Sequence, residues 1–170
     1  MELRSFISVE RVSFSDDYQR CIGWSTALAA PQRATSVTLL LAILEAGGGT
    51  TAQTVLVNAG VTTKDLEPHE LAVRDPKPEP RRGLRRLVRL PLGIRHTADL
   101  ERVLRRASEQ GFVRKRKVLT ADDLLLALVT EDGPAKDTLV AIGADPSLLR
   151  SQLIQADPPA SPPENPNQSI

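Results

Sequence analysis

The chain has 170 residues, of which 41% are hydrophobic and 25% charged, enough apolar material for one domain or two small halves sharing a core. Twenty-two Lys and Arg stand against 21 Asp and Glu, so the overall charge of +1 makes no case for nucleic acid, and 3% aromatics leaves little to stack on bases. Cys21 is the sole cysteine and the two histidines, His69 and His96, lie far apart, which argues against disulfides and Cys- or His-rich metal sites. The absence of an apolar run of ~18 residues and of a basic, then apolar, start leads us to expect a cytoplasmic protein with no membrane span.

In chain order, the first predicted helix runs from Ser15 to about Ala30. Ser15 is its N-cap, Asp16 and Asp17 suit the positive end of the helix dipole, and Pro31 stops it. Tyr18, Cys21, Ile22, Ser25 and Ala29 share one face, while Trp24 falls off that stripe. The second helix carries Leu39 to Leu44 and ends at Gly47-Gly48-Gly49. The third holds Ala52, Val55, Leu56 and Ala59, with Gly60 just past its end. The fourth starts near Thr62 or Thr63 and presents Leu66.

A Pro- and Arg-rich segment, 73–93, follows. Between Ala72 and His96 the basic residues are Arg74, Lys77, Arg81, Arg82, Arg85, Arg86, Arg89 and Arg95, against Asp75 and Glu79. The local charge is +6, leaving −5 for the rest of the chain. We read this stretch first as a solvated linker. The alternative is a short basic amphipathic helix, with Leu84, Leu87 and Val88 on one face, docking on an acidic partner, nucleic acid or anionic lipid.

Four more helices are predicted beyond it. Thr97 caps the first, whose Leu100, Val103, Leu104 and Ala107 point inward before Gly111 stops it. The run Arg114 to Lys117 is then an exposed basic loop. Thr120 and Asp123 form a capping box before Leu124 to Val129. Ala135, Thr138, Leu139 and Ile142 form the next stripe, closed by Gly143. Asp145-Pro146 opens a last helix with Leu148, Leu149 and Leu153. The five prolines between Asp157 and Ile170, with almost nothing apolar among them, predict a disordered tail.

The two sets of four helices align. Ser15 matches Thr97, Leu39–Ala42 matches Leu124–Ala127, Leu56 matches Leu139, Gly60 matches Gly143 and Leu66 matches Leu149, at offsets of 82, 85, 83, 83 and 83. This is a duplication, repeat one at about 12–72 and repeat two at about 94–156. Four short helices bury little alone, so we expect an all-α, pseudo-twofold domain of eight helices, with Leu41 and Leu126 in a shared interior.

The doubled order resembles the Clp amino-terminal domain, whose repeat reads Phe-Thr, a helix, Gly-Thr-Glu-His-Leu-Leu-Leu-Ala-Leu-Leu, a loop, Ala-x-x-x-Leu-x-x-x-Gly-Val-Asp, then Leu-Arg. Repeat one supplies Phe14-Ser15, Leu39–Leu44, Ala52–Leu56 and Gly60-Val61. Repeat two supplies His96-Thr97, Asp122–Val129, Ala135–Leu139, Gly143-Ala144-Asp145 and Leu149-Arg150. The resemblance implies a non-enzymatic protein-binding module, an adaptor, accessory or regulatory factor of a Clp ATPase or protease. Its partners would be a subunit of that machine or its substrates. The chain contains no G-x-x-x-x-G-K-[ST], so it would stand apart from the ATPase modules. In some family members the repeat's Glu helps bind phosphorylated arginine. Val37 replaces it in repeat one, and Asp122 is a shortened substitute in repeat two.

No nucleophile, base and orienting group come together in this reading, so we expect no catalytic, cofactor or metal residues. Cys21 is expected to be a buried structural thiol, and His69 and His96 surface or capping histidines. Asp122 and Asp123 sit at a helix start, where the dipole already favours them. Trp24 either packs under the linker or marks a partner surface. The candidate partner contacts are therefore Thr97, Asp122, Asp123, Trp24, Arg81, Arg82, Arg85, Arg86 and Arg89. The competing function is binding of nucleic acid or an anionic surface through the 81–89 arginines.

Overall fold

The computed structural model describes residues 12–73 and 96–156. The arginines of 81–89 and the tail from Asp157 lie outside them. The described residues form β1 (Ser13–Phe14), α1 (Asp16–Ala29), α2 (Ser36–Ala46), α3 (Thr51–Asn58) and α4 (Thr63–Val73), then α5 (Ala98–Val113), β2 (Val118–Leu119), α6 (Ala121–Thr130), α7 (Pro134–Ala141) and α8 (Pro146–Ala156).

Each repeat packs its first helix on its second, α1 on α2 and α5 on α6, and lays its fourth against that same second helix. The halves then exchange contacts in matched pairs: α3 with α8 and α4 with α7, α2 with α7 and α3 with α6, α1 with α6 and α2 with α5. Helices α2 and α6 touch each other at the centre. Both are apolar around most of their circumference because both are enclosed, and Leu39, Leu40, Ile43, Leu124, Leu125 and Leu128 are fully buried. One continuous core joins the halves.

Local sequence explains the helix ends. The Ser15 hydroxyl accepts from the Tyr18 N–H, and Thr50 caps α3 in the same way through Gln53. Gly60 and Gly143 have φ of +77° and +84° and close Schellman motifs, with Val61 N–H on Leu56 O and Ala144 N–H on Leu139 O. The same motif ends α5, with Arg116 N–H on Gly111 O, but its left-handed position is held by Lys115 at φ 55°. The left-handed region costs a side-chain-bearing residue about 1–2 kcal/mol, part of which glycine returns as extra unfolded-state entropy. Lys115→Gly is therefore expected to stabilise by about 0.5–1 kcal/mol, seen as a Tm raised by about 2–4 °C. An unchanged or lower Tm would show that Lys115 adopts this backbone at no cost.

Several expectations need correction. Gly111 does not stop α5, which continues to Val113. A Cβ at Gly111 would lie 2.2 Å from Leu119 Cδ2, so this glycine lets α5 approach β2 closely. The residues named for α3 and α8 divide: Ala52, Val55, Leu56, Leu149 and Leu153 are buried, while Ala59, the C-cap of α3, and Leu148, in the opening turn of α8, are exposed. Leu104 is partly buried and packs against the core, as its inward position implies. Arg114 and Arg116 turn back toward Asp123 and do not form a freely exposed loop. The parallel pairing of β1 with β2 was not foreseen: two residues per strand carry no alternation to read.

Candidate partner-binding surface

The first helix of each repeat starts against the segment that leads into the second helix of the other. Ser15 N–H bonds Leu119 O at 2.9 Å, and its repeat mate Thr97 N–H bonds Ala34 O at 3.0 Å. Two residues on, the Asp17 carboxylate accepts from the Ala121 N–H at 2.7 Å, and Asp99 accepts from the Ser36 N–H at 2.9 Å. Two first-turn N–H groups that the helices leave without internal partners are thus satisfied across the repeat boundary. Burial would raise both carboxyls, but the polar groups around them, the Ser15 hydroxyl and Ala121 N–H at Asp17 and the nearby Thr97 hydroxyl and Ser36 N–H at Asp99, hold them below the ordinary range. Sequence reasoning gave Asp16 and Asp17 only a dipole role and passed over Asp99. The 82-residue offset that pairs Ser15 with Thr97 also pairs Asp17 with Asp99, and is the signal that would have found them.

Thr97 is the N-cap of α5 in extended conformation, but its hydroxyl makes no cap bond and donates instead to Ala34 O at 3.0 Å. Asp122 and Asp123 diverge. Asp122 is half-buried and accepts from the Ala52 N–H at the start of α3, 2.7 Å away. Burial pushes its carboxyl up, with the charges of Asp123 and Asp17 adding, against the bonds from Ala52 and Thr51. Repeat one has Val37 in this place, so α7 receives no equivalent carboxylate from α2. Asp123 is fully buried. It completes the capping box on Thr120, accepting from its N–H at 2.9 Å and its hydroxyl at 3.2 Å, with Arg116 Nε at 3.4 Å and Arg114 Nη1 at 3.6 Å.

Trp24 stands apart from these helix starts. It is 45% exposed, and its indole N–H donates to Glu45 at 2.7 Å, which fixes the ring across the α1–α2 seam. The structure therefore gathers Asp17 with Asp122 and Asp123 near the α6 start. It gives Thr97 and Asp123 internal partners and leaves Trp24 and part of Asp122 to solvent.

Cys21 is fully buried, its thiol pushed up to about 11 by burial with Asp17 adding. It stays protonated at neutral pH and is no nucleophile. Burial pushes the Tyr18 phenol up as well, again with an acid, Asp123, adding. His96, expected at the surface or as a cap, is instead buried, because it bridges Ala34 at the repeat boundary. Burial lowers its pKa, with Glu101 opposing, and among the described residues its Nδ1 has no hydrogen-bond partner.

A lowered folded-state pKa means that the unfolded chain takes up the proton first. The stabilising contribution of His96 is complete above the ordinary value of about 6.5 and lost as pH falls through and below it. Tm is expected to fall between about pH 7 and pH 5, and His96→Gln should flatten that part of the profile. Identical profiles for the two proteins would remove His96 as the cause.

No protein-family model matches the chain, and no curated protein does. Solved structures do. The N-terminal domain of the caseinolytic protease associated chaperone ClpD from Arabidopsis thaliana superposes with a TM-score of 0.64 at 15% identity, covering 84% of this chain and 93% of that one. The Hsp104 N-terminal domain from Candida albicans superposes with a TM-score of 0.64 at 20% identity, covering 85% and 91%. The matched helix order, the cross-repeat helix caps and this likeness together identify the architecture: the chain has the all-α, doubled fold of the Clp N-terminal domains.

Proposed function

We propose that this chain is a non-enzymatic protein-binding module serving a Clp ATPase or protease system as adaptor, accessory or regulatory factor. What supports the reading is the doubled fold over most of the chain, shared with the N-terminal domain of a chaperone named for its association with caseinolytic protease. Trp24 on α1 and the exposed edge of Asp122 on α6 are the contacts offered to a partner, with Asp123 holding the start of α6 and Thr97 that of α5. The arginines at 81, 82, 85, 86 and 89 add a basic segment to a chain whose residues outside 72–96 carry a net −5. The partner is a Clp ATPase or protease subunit, or a substrate of one. Cys21 is closed to chemistry, and among the described residues no group of His, Cys, Asp and Glu is arranged to hold a metal. No single described helix is long and apolar enough to cross a bilayer.

The test is capture by the tagged full chain from an extract of its source cells. A Clp subunit enriched by the wild type and lost with Trp24→Ala or Asp122→Ala supports the proposal. The purified chain should hydrolyse no ATP, and turnover that survives repurification would end the non-enzymatic reading. A second reading, nucleic-acid or anionic-surface binding, rests on the +6 charge around 81–89. Its mark would be sequence-blind binding that weakens steeply with salt.

A further inference from the structure

We propose that the outer face of α5 and the turn after it dock a protein segment in which large apolar side chains are set among carboxylates. The inner face of α5 is Leu100, Val103, Ala107 and Gly111. At 100° per residue the opposite face carries Arg102, Arg105, Arg106 and Glu109 and then, in the last turn, Phe112 and Val113. These two residues reverse the helix's own pattern. Phe112 is 77% and Val113 78% exposed, among the most exposed large apolar side chains of the described residues.

The charge beside them is specific. An open groove of about 240 Å3 is lined by Arg102, Arg105, Arg106, Glu109 and Glu131. Glu131 takes up Arg102 at 3.7 Å and Arg106 at 3.2 Å, while no carboxylate among the described residues pairs with Arg105. Past Val113 the chain turns at Lys115, and Lys115 and Lys117 are exposed. Along α5, its turn and the facing Glu131 at the end of α6, five cations (Arg102, Arg105, Arg106, Lys115 and Lys117) therefore face three acids (Glu101, Glu109 and Glu131), with two unpartnered apolar side chains between the groove and the lysines.

Charge complementarity selects an acidic occupant, and Phe112 with Val113 require it to bring apolar side chains. A nucleic-acid strand fits poorly, because one ring is no stacking platform and Glu109 and Glu131 would meet its phosphates. A membrane fits poorly, because two residues on one turn bury little in a bilayer. A protein segment satisfies both requirements. The inference does not rest on a Clp partner, so the failure of either proposal leaves the other standing.

The probe is a fluorescein-labelled twelve-residue peptide with a central Leu-Phe pair flanked by Asp and Glu, titrated by anisotropy against the full chain. Saturable binding is expected. Phe112→Ser with Val113→Ser should weaken it roughly tenfold or more, and Arg105→Glu should weaken it separately. All of these are surface changes that leave the core intact, and a matched helical circular-dichroism spectrum verifies it. The 81–89 arginines remain in every variant, so peptide binding that ignores the Phe112/Val113 change belongs elsewhere and overturns the proposal. No saturable binding overturns it too. So does binding to phosphatidylserine vesicles that the double variant abolishes while the peptide is ignored, since the occupant would then be lipid.

Discussion

Replacing Leu40 or Leu125 with alanine is expected to cost about 2–5 kcal/mol and to leave one unfolding transition. The two are repeat mates, 85 residues apart, and both are fully buried at the centre of the molecule. Each truncation removes transfer free energy and leaves a cavity that the packed neighbours fill only in part. Against a total of ~5–15 kcal/mol this is a large fraction, and Tm should drop by about 6–15 °C. Leu41 and Leu126, one position on, keep 5% of their surface exposed and should lie toward the lower end.

The single transition follows from the contacts. Helix α2 is covered by α5, α6 and α7 of the other repeat, and α6 by α1, α2 and α3. The first N–H of each second helix is also bonded by a carboxylate of the other repeat, Asp99 for Ser36 and Asp17 for Ala121. A half that unfolded alone would strip these groups from its partner. Calorimetry on both variants decides it: two resolved transitions, each moved by only one mutation, would mean that the halves fold separately.

The parts of this architecture written in the sequence are those set by neighbours along the chain. Gly60 and Gly143 are visible as helix stops because a left-handed residue recurs 83 positions on. Ser15 and the Thr120–Asp123 box are visible because a cap and its acceptor lie within three residues. The alignment of the repeats carried the fold class, although no residue type in it is distinctive alone. What was not legible depends on pairings across the duplication. Asp17 meets Ala121 from 104 residues away, and nothing local distinguishes that role from a favourable helix dipole. Gly111 reads as a stop, yet it is a glycine because Leu119 approaches from another element. His96 stands where repeat one has Phe14, at a boundary whose burial only the folded pair of repeats creates. The sequence alone leaves Trp24 between packing under the linker, which lies outside the described residues, and a partner surface; its hydrogen bond to Glu45 across the α1–α2 seam pairs it with a residue 21 positions on that no local pattern singles out.

The adjacent acids Asp122 and Asp123 should separate stability from binding. Asp123→Ala removes the acceptor of the Thr120 capping box, worth about 1 kcal/mol in a typical helix, and leaves a Thr120 N–H without its partner. It also leaves Arg114 and Arg116 facing an apolar methyl. Their side chains are 26% and 20% exposed, so water offsets part of that loss. The sum is about 2–3 kcal/mol, and Asp123→Asn, which keeps an acceptor for Thr120, should cost about half as much. Asp122→Ala behaves differently. It frees the Ala52 N–H, but it also removes a half-buried charge whose pKa burial has already raised, and the two effects oppose. Its net cost should stay within about 1 kcal/mol. Thermal melts of the three variants test the order Asp123→Ala, Asp123→Asn, Asp122→Ala. Because Asp122 retains an exposed edge, its alanine variant should be the one that loses the captured partner while melting near the wild-type temperature. Equal destabilisation by the two alanine variants would mean that burial does not separate these neighbours, and the assignment of Asp123 to the scaffold and Asp122 to the surface would fail.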